Sequence, residues 1–168
     1  MTLILVGGGA RSGKSNYAIS HGQSLAKIDN KKLYFVATAE RSDDEMSQRI
    51  DRHIADRPKT FVTIEEPVNI AEVIATQEPA IIVVDCLTLW ISNLMGREIE
   101  PDFTAVIDSI RSSGSDVILI TNEVGEGIVP MHPVSRAFRD LSGQMNQAFG
   151  KAADEVYFLR FGIAQKIK

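Results

Sequence analysis

Residues Gly8 to Ser15 read GGARSGKS, and an apolar run, Leu3 to Val6, lies directly before them. The octet matches the pattern G-x-x-x-x-G-K-[ST], in which successive backbone N–H groups line one concavity and the lysine reaches the outer phosphates of a nucleotide. A strand must end where the loop begins and a helix must start near Lys14, whose dipole places positive charge at the phosphates. The segment therefore demands a strand, a tight glycine turn and a helix in that order. Gly8, Gly9, Ala10, Arg11, Ser12, Gly13, Lys14 and Ser15 are the expected phosphate cradle, with the Ser15 hydroxyl directed at Mg²⁺.

The rest of the chain fits an α/β protein. Short apolar runs at Leu3–Val6, Leu33–Thr38, Ile81–Asp85, Val117–Thr121, Val156–Leu159 and Ile163–Ile167 read as strands separated by amphipathic stretches, the pattern of a mainly parallel sheet. The last two are separated by only Arg160, Phe161 and Gly162, too few residues for a crossover, so they predict an antiparallel hairpin at one edge. From Ser135 to Lys151 the residues Phe138, Leu141, Met145, Ala148 and Phe149 share one helical face. With 168 residues and no linker or repeat, one catalytic domain spanning 1–168 is expected.

Composition excludes several classes. The net charge of −4 argues against general nucleic-acid binding, which needs a basic face. No apolar run is long enough to span a bilayer and no leader is visible before the first strand, which points to a cytoplasmic protein. The single Cys86 rules out an internal disulfide and reads as a buried, inert thiol.

Three further segments carry chemistry. Ala80 to Asp85 is an apolar strand ending in a carboxylate, where Asp85 holds Mg²⁺ or caps the helix expected near Leu87. Thr121 to Pro130, TNEVGEGIVP, places Asn122 and Glu123 at the next strand end, before glycines that suit either a mobile loop or a connecting turn. Asp43 to Arg57 reads as a helix with Met46, Ile50 and His53 on neighbouring positions of one face. Arg49 and Arg57, one turn either side of His53, favour its neutral imidazole. Taken alone, a single helical histidine reads as a packed surface residue. His21, in the first helix, and His132, in a Pro-flanked loop, carry less.

Together, GGARSGKS, ATA at 37–39, DDEM at 43–46, RIDRHIADRP at 49–58, TNEVGEGIVP, FRDLSGQMNQ and the terminal AADEVYFLRFGIAQKIK resemble the bifunctional adenosylcobinamide kinase and adenosylcobinamide-phosphate guanylyltransferase family of cobalamin biosynthesis. The resemblance implies a RecA-like phosphate-loop fold and a homotrimer. It implies ATP and GTP as substrates with Mg²⁺, and adenosylcobinamide and its phosphate as acceptors. It makes His53 the residue that carries GMP, with Lys14 as the other catalytic group. GTP contacts are implied at the phosphate loop, at Thr38, Ala39 and Glu40, at Ile54, Ala55, Asp56 and Arg57, and at Glu65 and Asp85; Ser15 and Asp85 are the metal pair. Two other readings use the same loop: a small-molecule or nucleoside kinase that needs no histidine, and a non-catalytic nucleotide switch.

Overall fold

A computed structural model describes residues 1–41, 47–48 and 58–168. Seven strands form one sheet: β1 (Leu3–Gly8), β2 (Leu33–Ala37), β3 (Phe61–Glu65), β4 (Ile81–Asp85), β5 (Asp116–Ile120), β6 (Glu155–Arg160) and β7 (Ile163–Lys166). Their order is β3-β2-β4-β5-β1-β6-β7, with every pairing parallel except β6 with β7. The helices are α1 (Lys14–Asp29), α2 (Ile70–Thr76), α3 (Leu87–Gly96), α4 (Phe103–Ser113) and α5 (Pro133–Ala152).

The central strands are apolar throughout because both faces of the sheet are covered. Leu3, Leu5, Ile82, Val84, Val117 and Leu119 point to one face, where α2, α3, α4 and α5 add Ile74, Trp90, Ile110 and Phe149. Ile4, Val6, Ile81, Val83, Ile118 and Ile120 point to the other, which receives Ala18 and Ala26 of α1. Close approach there uses Gly22, since a Cβ at that position would lie 3.4 Å from Val83. Burial of side chains this size contributes about 1.5–3 kcal/mol each, so the alternation fixes register as firmly as the ladder does.

The expected parallel sheet and edge hairpin are present, with three adjustments. Phe61–Glu65 is a strand that the apolar-run reading passes over. It sits at the sheet edge and pairs only with β2, so it needs a buried face only in part: Phe61 is buried while Val62 is 54% exposed. The hairpin turn uses two residues rather than three, because Arg160 pairs with Ile163. Phe161 (φ 53°) and Gly162 (φ 76°) are both left-handed, the pair of conformations that matches strand twist in a two-residue turn. The long helix begins two residues earlier than its periodicity indicates, with Pro133 at its start and His132 as N-cap. The helix expected over Asp43–Arg57 lies outside the described residues apart from 47 and 48, which are helical.

Candidate active site

Parallel pairing brings the carboxyl ends of β1, β2, β4 and β5 to one edge, the position at which open α/β sheets receive ligands. The phosphate loop leaves β1 there. Gly8 has φ 149°, and a Cβ on it would come within 2.6 Å of the Leu159 carbonyl of β6, so no larger residue fits. Gly13, at φ 95°, is the N-cap of α1. The Tyr17 amide bonds the Gly13 carbonyl at 3.0 Å. The helix therefore starts at the lysine of the motif, as the sequence requires.

Lys14 is 6% exposed. Its Nζ donates to the Gly9 carbonyl at 2.6 Å, an interaction that folds the ammonium across the loop. Burial pulls its pKa below the ordinary lysine value, and the Asp85 carboxylate opposes that effect. Ser15 Oγ donates to Asp85 Oδ2 at 2.7 Å, joining the first turn of α1 to the end of β4. Helix α3 follows with Cys86 as its N-cap and no side-chain capping bond, so Asp85 is directed at Ser15 instead of at α3. A hydroxyl and a carboxylate oxygen this close are the hard donors that Mg²⁺ accepts. Among the described residues no group of three or more His, Cys, Asp or Glu side chains forms a metal cluster.

A network of hydroxyls and amides sets the strand ends below this pair. Thr38 is fully buried; its Oγ1 donates to the Cys86 carbonyl at 2.7 Å and accepts from the Cys86 amide at 2.8 Å. Thr121 Oγ1 donates to Asn146 Oδ1 on α5 at 2.7 Å, and Thr88 Oγ1 accepts the Asn122 amide at 2.7 Å. Thr38 is therefore committed to backbone beneath the site. Ala39 is half-buried and Glu65 exposed. Glu40 pairs with Arg97, the residue that caps the end of α3. His53 and Ile54, Ala55, Asp56 and Arg57 lie outside the described residues.

Glu123 is not part of the Ser15–Asp85 pair. Its amide bonds the Gly8 carbonyl at 3.0 Å and its carboxylate accepts the Gly125 amide. It lines an open concavity of about 460 Å³ between the outer edge of the phosphate loop, the Glu123–Glu126 stretch and the β6–β7 turn. Arg160 and Glu126 meet across it at 3.4 Å.

The chain matches the model of the cobinamide kinase / cobinamide phosphate guanyltransferase family (CobU) over residues 4–167. It belongs to that family. It is 36% identical to the bifunctional adenosylcobalamin biosynthesis protein CobU of Escherichia coli (strain K12), across 99% of both chains. It is 34% identical to the bifunctional adenosylcobalamin biosynthesis protein CobP of Pseudomonas aeruginosa, across 98% of this chain and 96% of that one. Among solved structures the CobU-family chain is similar to the flagellar accessory protein FlaH of Methanocaldococcus jannaschii, with TM-score 0.59 and 12% identity over 99% of this chain and 78% of that one. A second solved structure, an ATPase domain, matches with TM-score 0.53 and 14% identity over 95% of this chain and 69% of that one. At those identities the likeness shows the fold alone, a RecA-like phosphate-loop fold.

The residues that sequence reasoning missed are polar positions on helices. Thr88, Asn93, Arg97 and Asn146 hold the strand ends and loops around the site. Asn93 and Arg97 had a signal: they are polar residues spaced four apart in the largely apolar segment TLWISNLMGR.

Proposed function

We propose that the chain phosphorylates adenosylcobinamide with ATP or GTP, then moves GMP from GTP through His53 to the resulting phosphate, giving adenosylcobinamide-GDP. The observation that carries the reading is the joining of a complete phosphate loop to Asp85 through Ser15, in a chain matched almost end to end by the family model. A nucleoside kinase without the histidine would share the loop but not that full-length match.

In the first reaction the hydroxyl of the aminopropanol arm attacks the γ-phosphorus and the nucleoside diphosphate leaves. Little covalent chemistry falls to the protein in such a transfer; positioning and charge neutralisation dominate. Lys14 leaves the Gly9 carbonyl and faces the phosphoryl oxygens, where its partial desolvation strengthens every ionic contact. Ser15 and Asp85 would hold Mg²⁺, which when bound adds positive charge beside the β- and γ-phosphates. In the second reaction neutral His53 attacks the α-phosphorus of GTP and expels pyrophosphate, forming a P–N bond to GMP. A phosphate oxygen of the acceptor then attacks that phosphorus, the P–N bond breaks and the imidazole is restored. Glu40, Glu65, Asp85 and the residues after His53 contact GTP in this reading, and Glu123, facing the concavity, lies on the acceptor side.

A homotrimer completes the proposal. Ile128, Met131, Val134 and Phe161 are 96%, 91%, 73% and 98% exposed in the single chain, an apolar display that contact between subunits would cover. No helix among the described residues is long and apolar enough to cross a membrane.

The test is a comparison of wild type with His53→Ala. Wild type incubated with GTP and Mg²⁺ gains the mass of one GMP, lost on mild acid treatment; the variant gains none yet still transfers phosphate from ATP to cobinamide. A folded wild type that binds GTP and gains no mass, or a variant that loses both activities together, contradicts the proposal.

A further inference from the structure

Asn93 and Arg97 belong to neither the phosphate loop nor the Ser15–Asp85 pair, yet they bind the chain where it leaves β2. Asn93 Nδ2 donates both its hydrogens, to the Thr38 carbonyl at 2.7 Å and to the Pro67 carbonyl at 3.0 Å. One turn further along, at the end of α3, Arg97 forks onto the Glu40 carboxylate, Nη1 to Oε2 at 3.1 Å and Nη2 to Oε1, while Nη1 also reaches the Asn93 carbonyl at 3.1 Å. Two successive turns of one helix thus hold the backbone before Ala39 and the side chain after it, together with the loop that follows β3.

The arrangement is a poor stability device. Arg97 and Glu40 side chains are 40% and 37% exposed, and ion pairs in such settings contribute little because water screens them. What a planar guanidinium gives a planar carboxylate is a fixed position and rotation. That orientation falls on Glu40, one of the residues assigned to GTP, on the stretch that runs on toward His53. Helix α3 starts immediately after Asp85, so one rigid element carries the metal carboxylate's strand end at its start and the Glu40 clasp at its finish.

We infer that Asn93 and Arg97 are positioning residues for guanylyl transfer, acting through the Thr38 backbone and the Glu40 carboxylate. The inference rests on the proposed function, since it takes the GTP role of Glu40 from there. Phosphoryl transfer from ATP draws on Lys14, Ser15 and Asp85 and does not depend on the direction of Glu40. The two activities therefore respond differently to loss of the clasp.

The experiment follows GMP attachment by intact mass at a series of GTP concentrations, for wild type, Asn93→Ala, Arg97→Ala and Arg97→Lys, alongside ATP-dependent phosphorylation of cobinamide and the thermal midpoint. Misplacement of a substrate-holding group slows reaction steeply, so Arg97→Ala is expected to lower the rate constant over KM for guanylylation by about tenfold. Arg97→Lys, which keeps the charge without the fork, recovers part of it. ATP-dependent transfer stays near wild type in all three, and so does the thermal midpoint of the two Arg97 variants; Asn93→Ala, which leaves the Thr38 and Pro67 carbonyls without their donor, melts a few degrees lower while keeping ATP-dependent transfer. Guanylylation at wild-type rate in both Arg97→Ala and Asn93→Ala overturns the inference, as does a parallel fall of both activities with the thermal midpoint. Failure of the wild type itself to take up GMP overturns the proposed function and the inference with it.

Discussion

Asp116, at the amino end of β5, and Lys14, just past the carboxyl end of β1, are both charged and almost fully buried, yet they are compensated differently. Asp116 receives Lys31 Nζ at 2.7 Å and the terminal ammonium of Met1 at 3.4 Å. Nearby, Asp154 takes the Leu3 amide at 2.7 Å and Arg111 at 2.9 Å, and Ser115 Oγ takes the Ala80 amide at 3.1 Å. These bonds close the starts of strands. Lys14 donates to the Gly9 carbonyl at 2.6 Å and to the Ser12 hydroxyl at 3.4 Å, both uncharged, and the Asp85 carboxylate only offsets part of its desolvation. Polar groups at the amino end are satisfied by protein alone, while the lysine at the carboxyl end keeps a charge that a phosphate would satisfy better. The buried charge at one end of the sheet is met by protein partners, and the one at the other end is left partly unmet.

The contrast makes its largest prediction at Lys14. Lys14→Ala should lower ATP-dependent phosphate transfer to cobinamide by about 10³-fold, the scale of losing a preorganised charge-stabilising group. Its thermal midpoint should stay level or rise, because a poorly compensated buried charge is removed. A clear drop in midpoint would erase the distinction between the two ends. The reverse pattern is expected for Asp116→Asn: activity within about twofold of wild type and stability lower by roughly 2 kcal/mol, from an unpaired Lys31 and loss of charge-assisted hydrogen bonds. For a domain of this size that is a fall of about 4–8 °C. The smallest effect sharpens the same point through pH. Burial of Asp116 opposes ionisation, but the hydrogen bond and charge of Lys31 outweigh it and hold the folded pKa below the usual carboxylate value. Its stabilisation is thus full above the unfolded value near about 4 and is lost as pH falls through the folded one. The midpoint difference between wild type and Asp116→Asn should be constant from neutral pH to about 5 and shrink in more acidic buffer; growth of the difference on acidification would contradict this assignment.

The phosphate loop was legible because its chemistry needs particular residues in a fixed order, and the central strands because burial on both faces demands unbroken apolar runs. Edge strand β3 was not, since Val62 and Thr63 are exposed and the FVTIE run lacks that signature. That Asp85 faces Ser15 depends on a bond between residues on β4 and α1, far apart in sequence, which no local pattern shows. Capping could be judged only once Cys86 was seen at the helix start. The Arg97–Glu40 clasp was beyond sequence reasoning, because neither residue marks the other and only packing of α3 beside the end of β2 brings them together. The role proposed for His53 comes from resemblance alone, since its sequence pattern is that of an ordinary surface residue.

The account turns on that histidine. Wild-type chain loaded with GTP and Mg²⁺, digested at mildly alkaline pH where a phosphoramidate survives, and mapped by peptide mass gives the most direct test. The GMP mass on the peptide containing His53, and specifically on its imidazole, is the predicted result; the mass on another residue, or no labelled peptide from protein that binds GTP, would contradict the account.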